Sequence, residues 1–169
     1  MERKVIRKQH NSRMCFVCGL KNAAGLQASF FEMEDGCLVC LFTPQAEHQS
    51  YPGRLHGGIA STILDETIGR AIMINSGGDV WGVTLELTVE YKKPVPLGVE
   101  LKVIGRITGE SSRMFSGSGE ILLPDGDVAA TATGKYLRLP IGKIADFDAA
   151  AQEWHVTASP ADPDEIPLP

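Results

Sequence analysis

The sequence predicts an α+β fold: an antiparallel sheet of about six strands wrapped around one long central helix. Three observations carry this. Residues 57–75 place apolar residues at i, i+3 and i+4 round much of a helix, as a long and mostly buried helix requires. Six other segments have strand composition and turn punctuation. Finally, one helix cannot supply the crossovers of a parallel sheet, so the strands must be joined largely as antiparallel neighbours.

In chain order, residues 1–13 form a basic arm with five bases and one acid, expected to fray in solvent. Residues 14–25 read as an irregular segment. Residues 26–33 and 37–43 flank Glu34-Asp35-Gly36 as a hairpin, and Pro44 ends its second strand. Residues 45–56 are a polar loop around Pro52-Gly53. The helix follows and stops at Ser76-Gly77-Gly78. In residues 80–91, Trp81, Val83, Leu85, Leu87, Val89 and Tyr91 alternate with polar or small residues, which gives a strand with one buried face. Strands over 100–108, 113–123 and 128–139 complete the sheet. Pro124-Asp125-Gly126 turns the last pair, because Pro presets φ and Gly accepts a positive one. The domain therefore spans 14–140. Residues 141–169 are an acidic tail with a short helix over 143–154, docked by Ile144, Phe147 and Trp154, and a disordered end over 157–169.

Composition agrees with a globular protein: 169 residues, 43% hydrophobic, 22% charged, mean hydropathy −0.02. That length buries a core without metal or disulfides. The net charge of −5 lies in the tail, the first 140 residues being balanced, so no basic stripe suggests a nucleic-acid partner. Asp65, Glu66 and Arg70 interrupt the best apolar run, and the N-terminus has no apolar leader. The expectation is a cytoplasmic protein without a membrane partner.

Cys15, Cys18, Cys37 and Cys40 form two C-x-x-C pairs, a spacing that zinc sites also use. Cys37 and Cys40 fall in a strand, however, where residues i and i+3 face opposite ways. Four thiolates cannot then converge on one metal, and the expectation is reduced thiols with no metal site.

The residues HQSYPGRLHGGIASTILDETIGRA (48–71) and WGVTLELTVEYKKPVPLG (81–98), with CFVCGLKNAAGL (15–26), resemble the acyl-CoA thioesterases of the hotdog superfamily. The similarity is to the phenylacetate-degradation and 4-hydroxybenzoyl-CoA types and covers residues 14–140. It implies hydrolysis of an acyl-CoA thioester without a cofactor, in a homodimer or homotetramer whose edge strand 80–91 is shared. It also implies roles for particular residues. Asp65 is the nucleophile or general base, and the Gly57 N–H at the helix start polarises the carbonyl, with Asp65 two turns on standing over the same carbonyl. Gly58 leaves room for close approach. His56 belongs to the same motif, and Gln49 lies where relatives carry an amide, with His48 and Ser50 as competitors. Thr84 matches a position where relatives place a hydroxyl. Strict alternation turns it away from Val83 and Leu85, so it reaches a site only through a partner subunit or a bulge. Lys92 and Lys93 are candidates for the coenzyme A phosphates.

The residues themselves favour Asp65 over Glu66. Glu66 pairs with Arg70 at i,i+4, whereas Asp65 is a short carboxylate among small and apolar neighbours. Two alternatives share the fold: a hydratase or dehydratase using a His–acid pair, and a non-catalytic acyl-CoA-binding sensor.

Overall fold

Eight strands and one long helix form the frame of the chain. In this computed structural model, which describes residues 1–169, the strands are β1 (Glu2–Lys8), β2 (Ser29–Met33), β3 (Leu38–Phe42), β4 (Trp81–Tyr91), β5 (Leu101–Glu110), β6 (Met114–Leu122), β7 (Val128–Leu139) and β8 (Glu165–Pro167). Helix α1 spans Gly57–Arg70. After a turn at Ala71-Ile72 the four-residue α2 (Met73–Ser76) continues to Gly77, whose left-handed φ of 65° ends it. The strands form one antiparallel sheet in the order β4-β7-β6-β5-β3-β2-β1-β8. The six expected strands are all present, and the count is corrected to eight by one strand from each end of the chain.

Charge complementarity explains those two. Arg3 pairs with Asp35, Arg7 with Glu32 and Lys8 with Asp162, so the basic arm lies as β1 against acids instead of fraying. The tail closes the sheet as β8, and its Ile166 and Leu168 are buried against Phe31, Val39 and Leu122 on the sheet's outer face. The expected short helix over 143–154 does not form. Only a 3-10 turn at Ile141–Lys143 is helical, and the Asp148 carboxylate accepts from the N–H groups of Ala150 and Ala151, a local alternative to helical bonding. Trp154 docks nonetheless, stacked on His10 at 4.5 Å and 5.0 Å from Phe147.

Helix α1 lies on the inner face of the sheet, where Ile63, Leu64 and Ile68 are fully buried. Its approach is closer than side chains on the sheet would allow. A Cβ at Gly105 would sit 2.7 Å from the Thr67 carbonyl oxygen, at Gly117 2.5 Å from Ile68, and at Gly119 2.9 Å from Ile68. Cys40 belongs to this inner core and Cys37 to the outer cluster, the opposite-face placement that strand geometry requires. No helix is long and apolar enough to cross a membrane.

β4 departs from strict alternation. Thr84 pairs with Tyr136 and Glu86 with Lys135, so Leu85 is an extra residue in a bulge and is exposed. Gly82 and Thr84 face the helix before the bulge, and Leu87 and Val89 pack on the core after it.

Gly117→Ala tests the close approach, since its Cβ would also meet the Arg106 carbonyl oxygen at 2.8 Å. The expected loss is about 1–3 kcal/mol by chemical denaturation. Gly109→Ala, where a Cβ meets nothing within 4 Å, should not show it.

Candidate active site

The first turn of α1 is built by His56. This residue is the N-cap, with φ −65° and ψ 132°, and its Nδ1 accepts the Gly58 N–H at 2.9 Å. Its backbone oxygen accepts the N–H groups of Ile59 and Ala60. The Gly57 N–H has no partner and points out of the helix start with the positive end of the dipole. The Gly57 carbonyl is held by Tyr91 and Ser61, whose hydroxyls lie 2.9 and 3.2 Å from it and 2.5 Å from each other. Tyr91 thereby ties the end of β4 to the start of α1.

Asp65 lies in the third turn, half-buried. Thr84 Oγ1 donates to its Oδ1 and Oδ2 at 2.9 and 3.0 Å, and the Tyr136 hydroxyl donates to Oδ1 at 3.1 Å. The bulge in β4 is what aims Thr84 inward, within the same chain. Burial raises the Asp65 carboxyl above its ordinary range, opposed by these two hydroxyls and reinforced by the neighbouring Glu66. Tyr136 is fully buried, stacked on Phe115 at 4.8 Å, and fits because Gly134 lacks a Cβ that would fall 2.6 Å from its hydroxyl. Asp65 and Thr84 open on a cavity of about 230 Å³ whose walls include Trp81, Ile141, Ile144 and Trp154. Glu66 binds Arg70 at 2.8 Å on the same wall.

The structure brings together only some of the residues singled out in the sequence. Asp65 and Thr84 meet, and His56, Gly57 and Gly58 form the helix start. Those two groups are not one site within a chain, because eight helical residues rise about 12 Å. Asp65 therefore cannot stand over the carbonyl bound to its own chain's Gly57. Gln49 is in the loop before α1, its Oε1 accepting the Gly53 N–H at 2.8 Å. His48 is buried and structural: Nδ1 accepts from Gln45 N–H, so Nε2 donates to the Ala24 carbonyl at 2.9 Å. Lys92 and Lys93 are exposed beyond β4, with Lys93 ion-paired to Asp127.

Sequence reasoning missed Tyr136 as a partner of Asp65, and Tyr91 at the helix start. Tyr136 did leave a signal: a lone tyrosine in the strand 128–139, two residues after a glycine, must find a polar partner if it is buried.

Linkage gives a test of the Asp65 environment. A carboxyl raised by folding favours the fold below its unfolded pKa, and that contribution is lost as pH rises through the folded value. Asp65→Asn should then have a higher Tm than the parent at pH 7, with the difference vanishing near pH ~3, where both forms are neutral. An equal Tm difference at both pH values would contradict the burial-raised carboxyl.

Comparison with known proteins follows the same lines. Residues 52–130 match the model of the thioesterase superfamily. Acyl-coenzyme A thioesterase THEM4 of Xenopus laevis is 32% identical over 111 residues, 65% of this chain and 49% of its own length. The chain spans about half the length of the curated relatives it matches. A crystal structure of a thioesterase superfamily protein is similar with TM-score 0.67 and 27% identity, covering 73% of this chain and 63% of the other. A hypothetical thioesterase from Streptococcus pneumoniae, solved with coenzyme A, has TM-score 0.58 and 25% identity over 67% of this chain and 86% of its own. In sequence this chain is similar to the thioesterase superfamily, and its architecture is the hotdog fold of those proteins.

Proposed function

We propose that the chain hydrolyses acyl-CoA thioesters to a carboxylate and free coenzyme A, with Asp65 as nucleophile or general base. The observation that carries this reading is the Asp65 carboxylate, oriented by Thr84 and Tyr136 at the mouth of a largely apolar cavity. Oδ1 is engaged twice and Oδ2 only by Thr84, which leaves Oδ2 the freer oxygen for a water or for the thioester carbon. An acyl group enters the cavity, and CoA stays outside it.

The oxyanion donor in this reading is Gly57 N–H of a second copy. β4 is an edge strand, and it carries the exposed Leu85 and Tyr91. One end of β4 is bonded to Asp65 through Thr84 and the other to Gly57 through Tyr91. Two copies pairing antiparallel along β4 bring the Gly57 of each beside the Asp65 of the other, and they also cover an open edge. In such a dimer Gln49, whose amide NH2 is unengaged, flanks the carbonyl, and Lys92, which has no ion pair, serves the CoA phosphates. The hydratase alternative is weaker, because His56 spends Nδ1 on its helix and lies about 13 Å along the axis from Asp65.

Thiol release from a panel of acyl-CoAs tests the activity. Asp65→Asn should lose about 10²–10⁴ in kcat. Gly57→Pro removes the other group gently: proline suits the first helical position, His56 has the extended backbone it needs before it, and a Cβ meets Tyr91 only at 3.4 Å. Each variant alone should be inactive. Co-refolded, the two should regain about a quarter of parental activity, since half the dimers are mixed and each has one intact site. No recovery would overturn the shared site.

Tyr136→Phe removes a donor that holds the Asp65 carboxyl down. The acid limb of kcat/KM should therefore move to higher pH. An unmoved limb would mean that a different group sets it.

A further inference from the structure

The cavity beside Asp65 has a second chemical feature on its wall, the C-x-x-C pair. Cys15 and Cys18 lie on one tight turn, closed by the Gly19 N–H donating to the Cys15 carbonyl at 2.8 Å. Gly19 is required there, because a Cβ would fall 2.3 Å from that oxygen. The two sulfurs and a Glu66 oxygen lie within 4.8 Å of one another. Cys15 Sγ accepts the Val17 N–H at 3.4 Å and is partly exposed, while Cys18 is buried with Arg70 Nη2 3.0 Å from its sulfur.

Two chemistries suit three such ligands, and Arg70 decides between them. Its guanidinium is buried, binds Glu66 at 2.8 Å and contacts Cys18, so a cation already occupies two of the three ligands. A divalent metal would face that unscreened buried charge. A thiolate, by contrast, fits beside it: the thiol bond from Cys18 draws Cys15 well below the ordinary range, while that bond and burial hold Cys18 itself up, opposed by Arg70, until Cys15 is consumed. Cys37 and Cys40 are pushed up by burial and lie on opposite faces of β3, where they cannot pair with each other.

We propose that Cys15 and Cys18 are a reversible dithiol–disulfide pair, oxidised by low-molecular-weight disulfides, whose redox state sets how well the Asp65 cavity accepts an acyl group. The Cys15 thiolate attacks one sulfur of RSSR, forming Cys15–S–S–R and releasing RS⁻. Deprotonated Cys18 then attacks the Cys15 sulfur, forming the internal disulfide and releasing the second RS⁻. Two thiols are oxidised, one disulfide is reduced, and the two protons end on two RSH. The sulfurs close to about 2.05 Å. Oxidation removes the Cys15 charge from a wall where Glu66 is already paired with Arg70, which favours an apolar acyl group. This last step rests on the thioesterase reading, whereas the disulfide does not.

The test equilibrates the full chain in glutathione buffers of graded oxidation, alkylates it and maps the peptides. A Cys15–Cys18 disulfide reversed by dithiothreitol is expected. Trp81 and Trp154, the only two tryptophans, both line the cavity, so their emission should change on oxidation in the parent and not in Cys15→Ser. KM for acyl-CoA should fall roughly threefold or more on oxidation, and Cys15→Ser should give one KM in both buffers. The proposal is overturned by the absence of a 15–18 disulfide at every ratio, by stoichiometric zinc in the reduced protein, or by a disulfide that leaves emission and KM unchanged. If no acyl-CoA is hydrolysed in either state, the hydrolase reading fails, while the peptide map and emission still decide the thiol pair.

Discussion

The close seating of α1 on the sheet is the constraint on which the rest depends. Gly105, Gly117 and Gly119 remove the side chains that would hold the helix off, and Thr67 and Ile68 settle into the space. At that depth the next positions, Asp65 and Gly69, come level with Tyr136, whose ring edge passes 3.3 Å from where a Gly69 Cβ would lie. A helix riding farther out would leave Asp65 solvated, with an ordinary acid strength and no hydroxyl within reach. The carboxylate is thus tuned by backbone packing two residues away from it. Stability and site chemistry draw on the same contact.

A second feature is the division of charge between the chain's two ends. The arm's Arg3, Arg7 and Lys8 and the tail's Asp162 and Glu165 are far apart in sequence, yet β1 and β8 pair with Lys4 opposite Glu165. Glu32 is buried, and the Arg7 fork and the Gln9 amide satisfy it. The tail also delivers Ile141, Ile144 and Trp154 to the cavity, so one segment closes the sheet and shapes the site.

The helix and β4 were legible because each carries a clean period over nine or more residues, and the short β2 and β3 because a turn signal lies between two β-rich runs. Asp65 was legible because its neighbours at helical spacing are small or apolar, whereas Glu66 has Arg70. The terminal strands were not. β1 is charged and β8 has only three residues, and their order comes from partners more than twenty residues distant, which local pattern does not register. Of the two routes left open for Thr84, a partner subunit or a bulge, the structure shows the bulge, which shifts the phase of a strand without altering its composition. Tyr136 was hidden by its surroundings, since an inward tyrosine in a β-rich run reads as core until the acid it meets is located. The 12 Å between Gly57 and Asp65 was available from helix geometry alone, and it separates the two groups within one chain.

The bulge in β4 also bears on how this surface can change over generations. Substitution at Leu85 alters an exposed side chain and little else, because the phase of the strand is set by residue count. Loss of that one residue would leave Thr84 opposite Tyr136, Glu86 opposite Lys135 and Leu87 opposite Gly134 in regular alternation, so Thr84 would still face Asp65 while the hydrophobic positions after it stayed in register with the core. A descendant could therefore straighten this exposed edge through a single in-frame deletion and keep Thr84, Leu87 and Val89 together on the inner face, so the length of this strand can vary where its inward residues cannot.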